Sequence, residues 1–79
     1  MNYEIASLKD VHNDVEISVI VDGNEYVVMM MKKYAREYHH RNFASIEEAY
    51  AVFEKLSKAV VMGLYSWEDR LRILQGVLV

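Results

Sequence analysis

Apolar and polar residues alternate from Val15 to Val21. Val15, Ile17, Val19 and Val21 fall on one side of an extended chain, and Glu16, Ser18 and Ile20 on the other. That period predicts a strand with one buried face. Asp22-Gly23 follows, a dipeptide suited to the positive φ angles of a tight hairpin turn, and residues 24–31 return as the partner strand. A two-residue loop sets Val21 opposite Asn24, Val19 opposite Tyr26, Ile17 opposite Val28 and Val15 opposite Met30. One face then gathers Val15, Ile17, Val19, Val21, Tyr26, Val28 and Met30, so the register agrees with the apolar pattern. Upstream, Tyr3 to Leu8 reads as a further strand with Tyr3 and Ile5 on one side, and Asp10 to Asp14 as a turn.

Lys32 to Asn42 fits two periods. As a strand it sets Tyr34, Arg36, Tyr38 and His40 on one face; as a helix it aligns Met31, Tyr34, Ala35 and Tyr38. No capping residue precedes it and it continues from a strand, so it reads as a bent extension or a third strand ending at Phe43. The helices are plainer. In Ser45-Ile46-Glu47-Glu48 the Ser can accept from the N–H three residues on while Glu48 reaches back, and both acids complement the positive end of the helix dipole. Ile46, Ala49, Tyr50, Phe53, Leu56, Val60 and Leu64 then recur at helical spacing, with Gly63 as the stop. Ser66-Trp67-Glu68-Asp69 repeats the start signal. A second helix should run to Gln75 and end at Gly76, with Trp67, Leu71, Leu74 and Leu78 on its apolar side and Arg70 and Arg72 among its polar positions. Strands followed by helices predict an α+β fold: a short antiparallel β-sheet, the hairpin 15–31 plus one or two further strands, packed against two C-terminal helices.

At 79 residues the chain has room for one small domain, 1–79. An apolar share of 53% excludes a disordered chain. The net charge of −3 leaves no overall cationic field for nucleic acid. The charge is uneven, however: residues 1–22 carry one Lys against five carboxylates, and residues 23–43 carry four Lys and Arg against two. With no Cys, disulfides, thiolate metal sites and cysteine nucleophiles are excluded. The longest apolar run, Tyr26 to Met31, falls far short of the ~20 residues of a membrane helix, and no basic stretch leads into an apolar one at the start. The expectation is a cytoplasmic protein with no membrane partner, in the host cytoplasm if phage-encoded.

Candidate chemistry is sparse. His39 and His40 are adjacent, so neither strand nor helix converges them on one metal, and Asp10, His12 and Asp14 match no ligand spacing. Ser45 and Ser66 are helix caps, and no nucleophile elbow or Gly-rich phosphate loop exists. The chain is therefore expected to be no enzyme and to need no metal or cofactor. A basic and aromatic segment, Lys32, Lys33, Tyr34, Arg36, Tyr38, His39, His40 and Arg41, suits phosphate contacts and base stacking; it also suits a charged edge strand that resists aggregation. The second strand of the hairpin is more telling. Val27, Met29 and Met31 point away from the expected core, with Ile20 beside them, where a solvated sheet face should be polar. Together with the apolar tail Val77, Leu78 and Val79 they form a candidate interface for another protein or for a homodimer. Asp10, Asp14, Glu16 and Asp22 are candidate acidic residues for steering a partner.

Phe43 to Ala49, followed by Phe53 and Leu56, resembles the strand-to-helix step of WGR-type modules; the Trp-Gly-Arg triplet of that family is missing, and no residue role carries over. In length, acidity and lack of catalytic motifs the chain resembles small accessory proteins of phages and mobile elements, anti-CRISPR and other anti-defence inhibitors among them. That resemblance implies a non-enzymatic protein–protein interaction module that blocks a partner surface. The alternatives are a small nucleic-acid-binding protein using residues 32–41 and a homodimeric structural protein.

Overall fold

The computed structural model describes residues 2–77. Four strands, β1 (Asn2–Asp10), β2 (Val15–Asp22), β3 (Glu25–Lys32) and β4 (Glu37–Phe43), form an antiparallel sheet in sequence order, followed by helices α1 (Ile46–Val61) and α2 (Trp67–Gln75). Both helices lie on one side of the sheet. The α+β class, the antiparallel sheet and the two C-terminal helices are as expected from the sequence.

The hairpin register differs from the expected one. Asp22 pairs with Glu25, Val21 with Tyr26, Val19 with Val28 and Ile17 with Met30. The loop is thus Gly23-Asn24, not Asp22-Gly23. Gly23 takes φ +60° at the first central position while Asn24 has no positive φ, the demand of a II′ turn, which puts Gly first. The change moves each partner by an even number of residues, so every side chain keeps its face.

Residues 32–42 are neither one helix nor one strand. β3 ends at Lys32, residues 33–36 turn, and β4 runs back with Lys32 opposite Glu37. The Arg36 N–H donates to Lys33 O at 3.1 Å and Arg36 takes φ 54°, a tight turn closed by a left-handed residue. The expected common face of Tyr34, Arg36, Tyr38 and His40 does not form, because Tyr34 and Arg36 lie in this turn. The β1–β2 turn is built the same way: four residues close on Asp14 at φ 53°. The Asp14 carboxylate accepts from the Tyr34 N–H at 2.7 Å and ties the two turns together.

β1 carries a bulge. Pairing shifts between Glu4 and Ala6, leaving Ile5 unmatched. Without it, strict alternation would set Tyr3, Ile5, Ser7 and Lys9 on the core side. The extra residue resets the phase, so Ala6 and Leu8 pair with Val19 and Ile17 instead.

The core lies between sheet and helices: Val15, Ile17, Val19, Val28, Met30 and Phe43 from the strands meet Ala49, Leu56, Ile73 and Leu74. α1 touches all four strands, and α2 packs on β4 and α1. Ser45 and Ser66 cap as expected, each accepting from the N–H three residues on. α1 ends through Leu64 N–H to Ala59 O at 2.8 Å, with Gly63 at φ +65°. Leu64, expected to continue the apolar stripe, lies beyond this stop and is exposed. Arg70, expected on the polar side of α2, is only 7% exposed. Its Nε and Nη2 donate to Leu64 O at 3.1 and 3.0 Å, and Nη2 also reaches Ala59 O at 3.3 Å. The guanidinium thus holds the inter-helix loop against α2, which explains why a charge is buried there.

Candidate functional site

Strand pairing fixes the composition of the helix-free face of the sheet. In rows across the strands it reads Glu4, Ile20, Val27 and Asn42; then Ser7, Ser18, Met29 and His40; then Lys9, Glu16, Met31 and Tyr38. Asn2, Asp22 and Glu25 close one end. Ile20, Val27, Met29 and Met31 therefore come together as the sequence suggested, with no helix over them. Val27 is nonetheless 7% exposed, closed in by its neighbours on the same face and not by the core cluster, to which it does not belong. Ile20, Met29 and Met31 are half-buried, and Tyr38 and His40 are exposed. A shallow cleft of about 220 Å³ opens among Asn2, Ile20, Asp22, Val27, Met29, His40 and Asn42.

Two expectations for this patch fail. Val77 is exposed, but it follows α2 in the helix layer, on the other side of the sheet from Met29. Gly76 packs against the Arg41 guanidinium and fixes that position. Leu78 and Val79 lie outside the described residues. Of the four acidic candidates only Glu16 and Asp22 border the patch. Asp10 pairs with Val15 on the helix side and accepts from the Asn13 side-chain amide at 2.7 Å; this bond first, and the nearby charge of Arg70 last, holds its carboxyl below the ordinary value. Asp14 is spent on the Tyr34 N–H. In their place the register brings in Glu4 and Glu25, which the sequence reading missed. Their signal is partly alternation: Glu25 shares its face with Val27, two residues on, whichever of the two turns forms, and Glu4 is placed there by its pairing with Ile20. Glu25 accepts from Asn42 Nδ2 at 2.6 Å, and Glu16 pairs with Lys33 at 2.9 Å, which raises the Lys33 pKa.

Ser18 sits at the centre of this face, 1% exposed, and its Oγ has no hydrogen-bond partner among the described residues. An unpaired buried hydroxyl is unfavourable by about 1–3 kcal/mol. Ser18→Ala is therefore expected to leave stability unchanged or raise it by up to about 1 kcal/mol in urea unfolding; a clear loss would show that the hydroxyl is used.

The basic and aromatic segment is dispersed. Tyr38 and His40 lie on the open face. Lys33, Tyr34 and Arg36 lie in or beside the turn, with Lys33 bound to Glu16. Lys32, His39 and Arg41 lie on the helix side. Arg41 stacks on Phe43, 4.8 Å from the ring centroid, and donates to Leu74 O at 3.4 Å. His39 Nε2 is 2.9 Å from Glu37 Oε2, which also accepts from the Trp67 indole N–H. The neighbouring histidines thus point to opposite faces, and among the described residues no three His, Asp or Glu side chains gather as metal ligands.

The Trp67 and His39 contacts hold the Glu37 carboxyl below its ordinary value of 4.5, with Lys32 adding to the effect. A carboxyl more acidic in the folded chain stabilises it above the unfolded pKa, and this is lost as pH falls through the folded pKa. Stability should therefore drop below about pH 4.5. Glu37→Gln should be less stable at pH 7 and should flatten part of that slope, Asp10 supplying the rest. Parallel curves for the two proteins between pH 7 and 3 would contradict this.

Compared with known protein families, curated proteins and solved structures, the chain matches none. Among the described residues no helix is long and apolar enough to cross a membrane.

Proposed function

We propose that this chain is a non-enzymatic interaction protein whose helix-free sheet face docks on a protein with an apolar patch ringed by Lys and Arg. One observation carries the reading: an apolar centre of Ile20, Val27, Met29 and Met31 sits inside a rim of Glu4, Glu16, Asp22 and Glu25, with only Lys9 and Lys33 opposing them. Methionine suits such a centre because its flexible thioether adapts to an opposing surface. The rim speeds encounter with a basic partner and repels a second copy, which would set carboxylates against carboxylates. A heterologous partner is therefore favoured over the homodimer.

Size bears on the mode. Four strands at ~4.8 Å spacing, each contributing some seven residues at ~3.4 Å, give a face of roughly 20 by 24 Å. That is less than the ~800 Å² each side of a standard interface supplies. The β3–β4 turn, where Tyr34 is 93% exposed, adjoins the Met31–Tyr38 row and extends it. A partner covered this way loses whatever its own surface does. The cationic groove of a nucleic-acid-handling enzyme has the complementary chemistry, and occupying it is the anti-defence form of the proposal.

The test captures a partner from nuclease-treated host lysate and then reconstitutes the complex from two purified proteins. Met29→Asp or Met31→Asp should weaken it about tenfold or more. Glu4→Gln with Glu25→Gln should slow association and reduce its salt dependence. A complex indifferent to all of these, or binding lost with the nuclease step, overturns the reading. So would a dimer of this chain that Met29→Asp dissociates.

A further inference from the structure

On the helix side, where the β1–β2 turn and the end of β3 meet the loop between the helices, Asn13, Lys32, Tyr65, Ser66, Trp67 and Arg70 border a cavity of about 360 Å³. Two cations face it without an ion pair. Arg70 is 7% exposed. Its Nε and Nη2 are used on the carbonyls of Ala59 and Leu64. Its Nη1 makes no hydrogen bond among the described residues and is not sealed off. Lys32 holds its Nζ 4.6 Å from the centroid of the Trp67 ring. Among the described residues neither side chain has a carboxylate within 4.0 Å.

The nearest acids, Asp10 and Glu37, feel the charges of Arg70 and Lys32 but touch neither cation, their hydrogen bonds being made elsewhere. Asp10 accepts from Asn13, and Glu37 from Trp67 and His39. A guanidinium this buried is stable only when its charge is answered, and backbone carbonyls answer two of its three nitrogens. The loop is also shaped in advance. Tyr65 adopts φ 65°, a left-handed conformation costly for a bulky residue, in the same loop that turns Leu64 O onto the guanidinium.

We propose that this cavity binds an oxyanion, a phosphate or carboxylate group, held between Arg70 Nη1 and Lys32 Nζ with Trp67 and Tyr65 as its walls. The open hydrogen-bond donors of Arg match the geometry of either anion, and a second ammonium adds charge without geometric demand. The site lies on the opposite side of the sheet from the Met29 patch and stands independently of it.

Trp67 is the only tryptophan, so its fluorescence reports on the cavity directly. The full chain is titrated at pH 7 with sodium phosphate, and separately with sodium acetate, at constant ionic strength set with sodium chloride. Emission should change saturably with at least one of them. Lys32→Gln should raise the half-saturating concentration about fivefold or more, while Lys55→Gln on the exposed side of α1 should leave it unchanged. Because an Arg70 variant can unfold the loop, the second readout is the Arg70 Nε–H resonance of the unaltered protein, which should shift along the same titration. Saturation by phosphate alone assigns the site to phosphate groups; saturation by acetate as well extends it to carboxylates. No saturation with either, an unchanged midpoint in Lys32→Gln, or a stationary Arg70 resonance overturns the proposal.

Discussion

Leu56→Ala is expected to destabilise the fold by about 3 kcal/mol, within the range of roughly 2–5 seen for buried Leu-to-Ala changes. Leu56 has no exposed surface and stands where α1 crosses the sheet, packed within the core cluster. For a chain of this length the whole stability is on the order of 4–12 kcal/mol, so this substitution alone removes a large part of it. Met29→Ala is the matching control. Met29 is as apolar, but it lies on the half-covered open face outside the cluster, and its loss should be below about 1.5 kcal/mol. Urea midpoints of the two variants separate the residues that hold the fold from those left over for docking. Equal losses would mean that the open face is a second core, and the docking proposal would lose its basis.

Arg70→Met should destabilise by roughly 2–3 kcal/mol, although the apolar stem of the side chain is kept. The loss comes from the carbonyls it leaves behind. Leu64 O loses both its guanidinium contacts, while Ala59 O keeps the Leu64 N–H. Amide exchange should accelerate in residues 63–66 before it does in the strands, because the loop loses its tie to α2 first. Arg70→Lys should recover only part of the loss, since one ammonium cannot reproduce contacts made from Nε and Nη2 together. A variant at wild-type stability would show that the loop is held by its own turn.

How far these features were legible in the sequence depends on whether they are local. The capping serines, the helix spans and the core face of the hairpin follow from spacing alone. The Gly23-Asn24 loop does not, because Asp22-Gly23 and Gly23-Asn24 both satisfy a tight turn and both keep the apolar faces intact. The bulge at Ile5 is hidden for a related reason: it matters only once β1 has a partner, and nothing in Tyr3 to Leu8 marks the extra residue. Arg70 looked polar because its bonding groups, the carbonyls of Ala59 and Leu64, are present at every residue and become specific only when the loop turns. The proposed docking patch was half legible. Ile20, Val27, Met29 and Met31 stand out by alternation, and Glu25 follows the same period; Glu4 joins them through pairing, and the tail residue Val77 is carried away with α2.

The two faces of the sheet are covered differently. Helices, capping serines and the cluster around Leu56 secure the chain from one side, and the side chains at 20, 27, 29 and 31 lie outside that cluster. If the open face docks a partner as proposed, its side chains can change while the scaffold stays fixed. Under that proposal, a change of partner would need substitutions only in the outward rows of the sheet and none in the packed layer beneath.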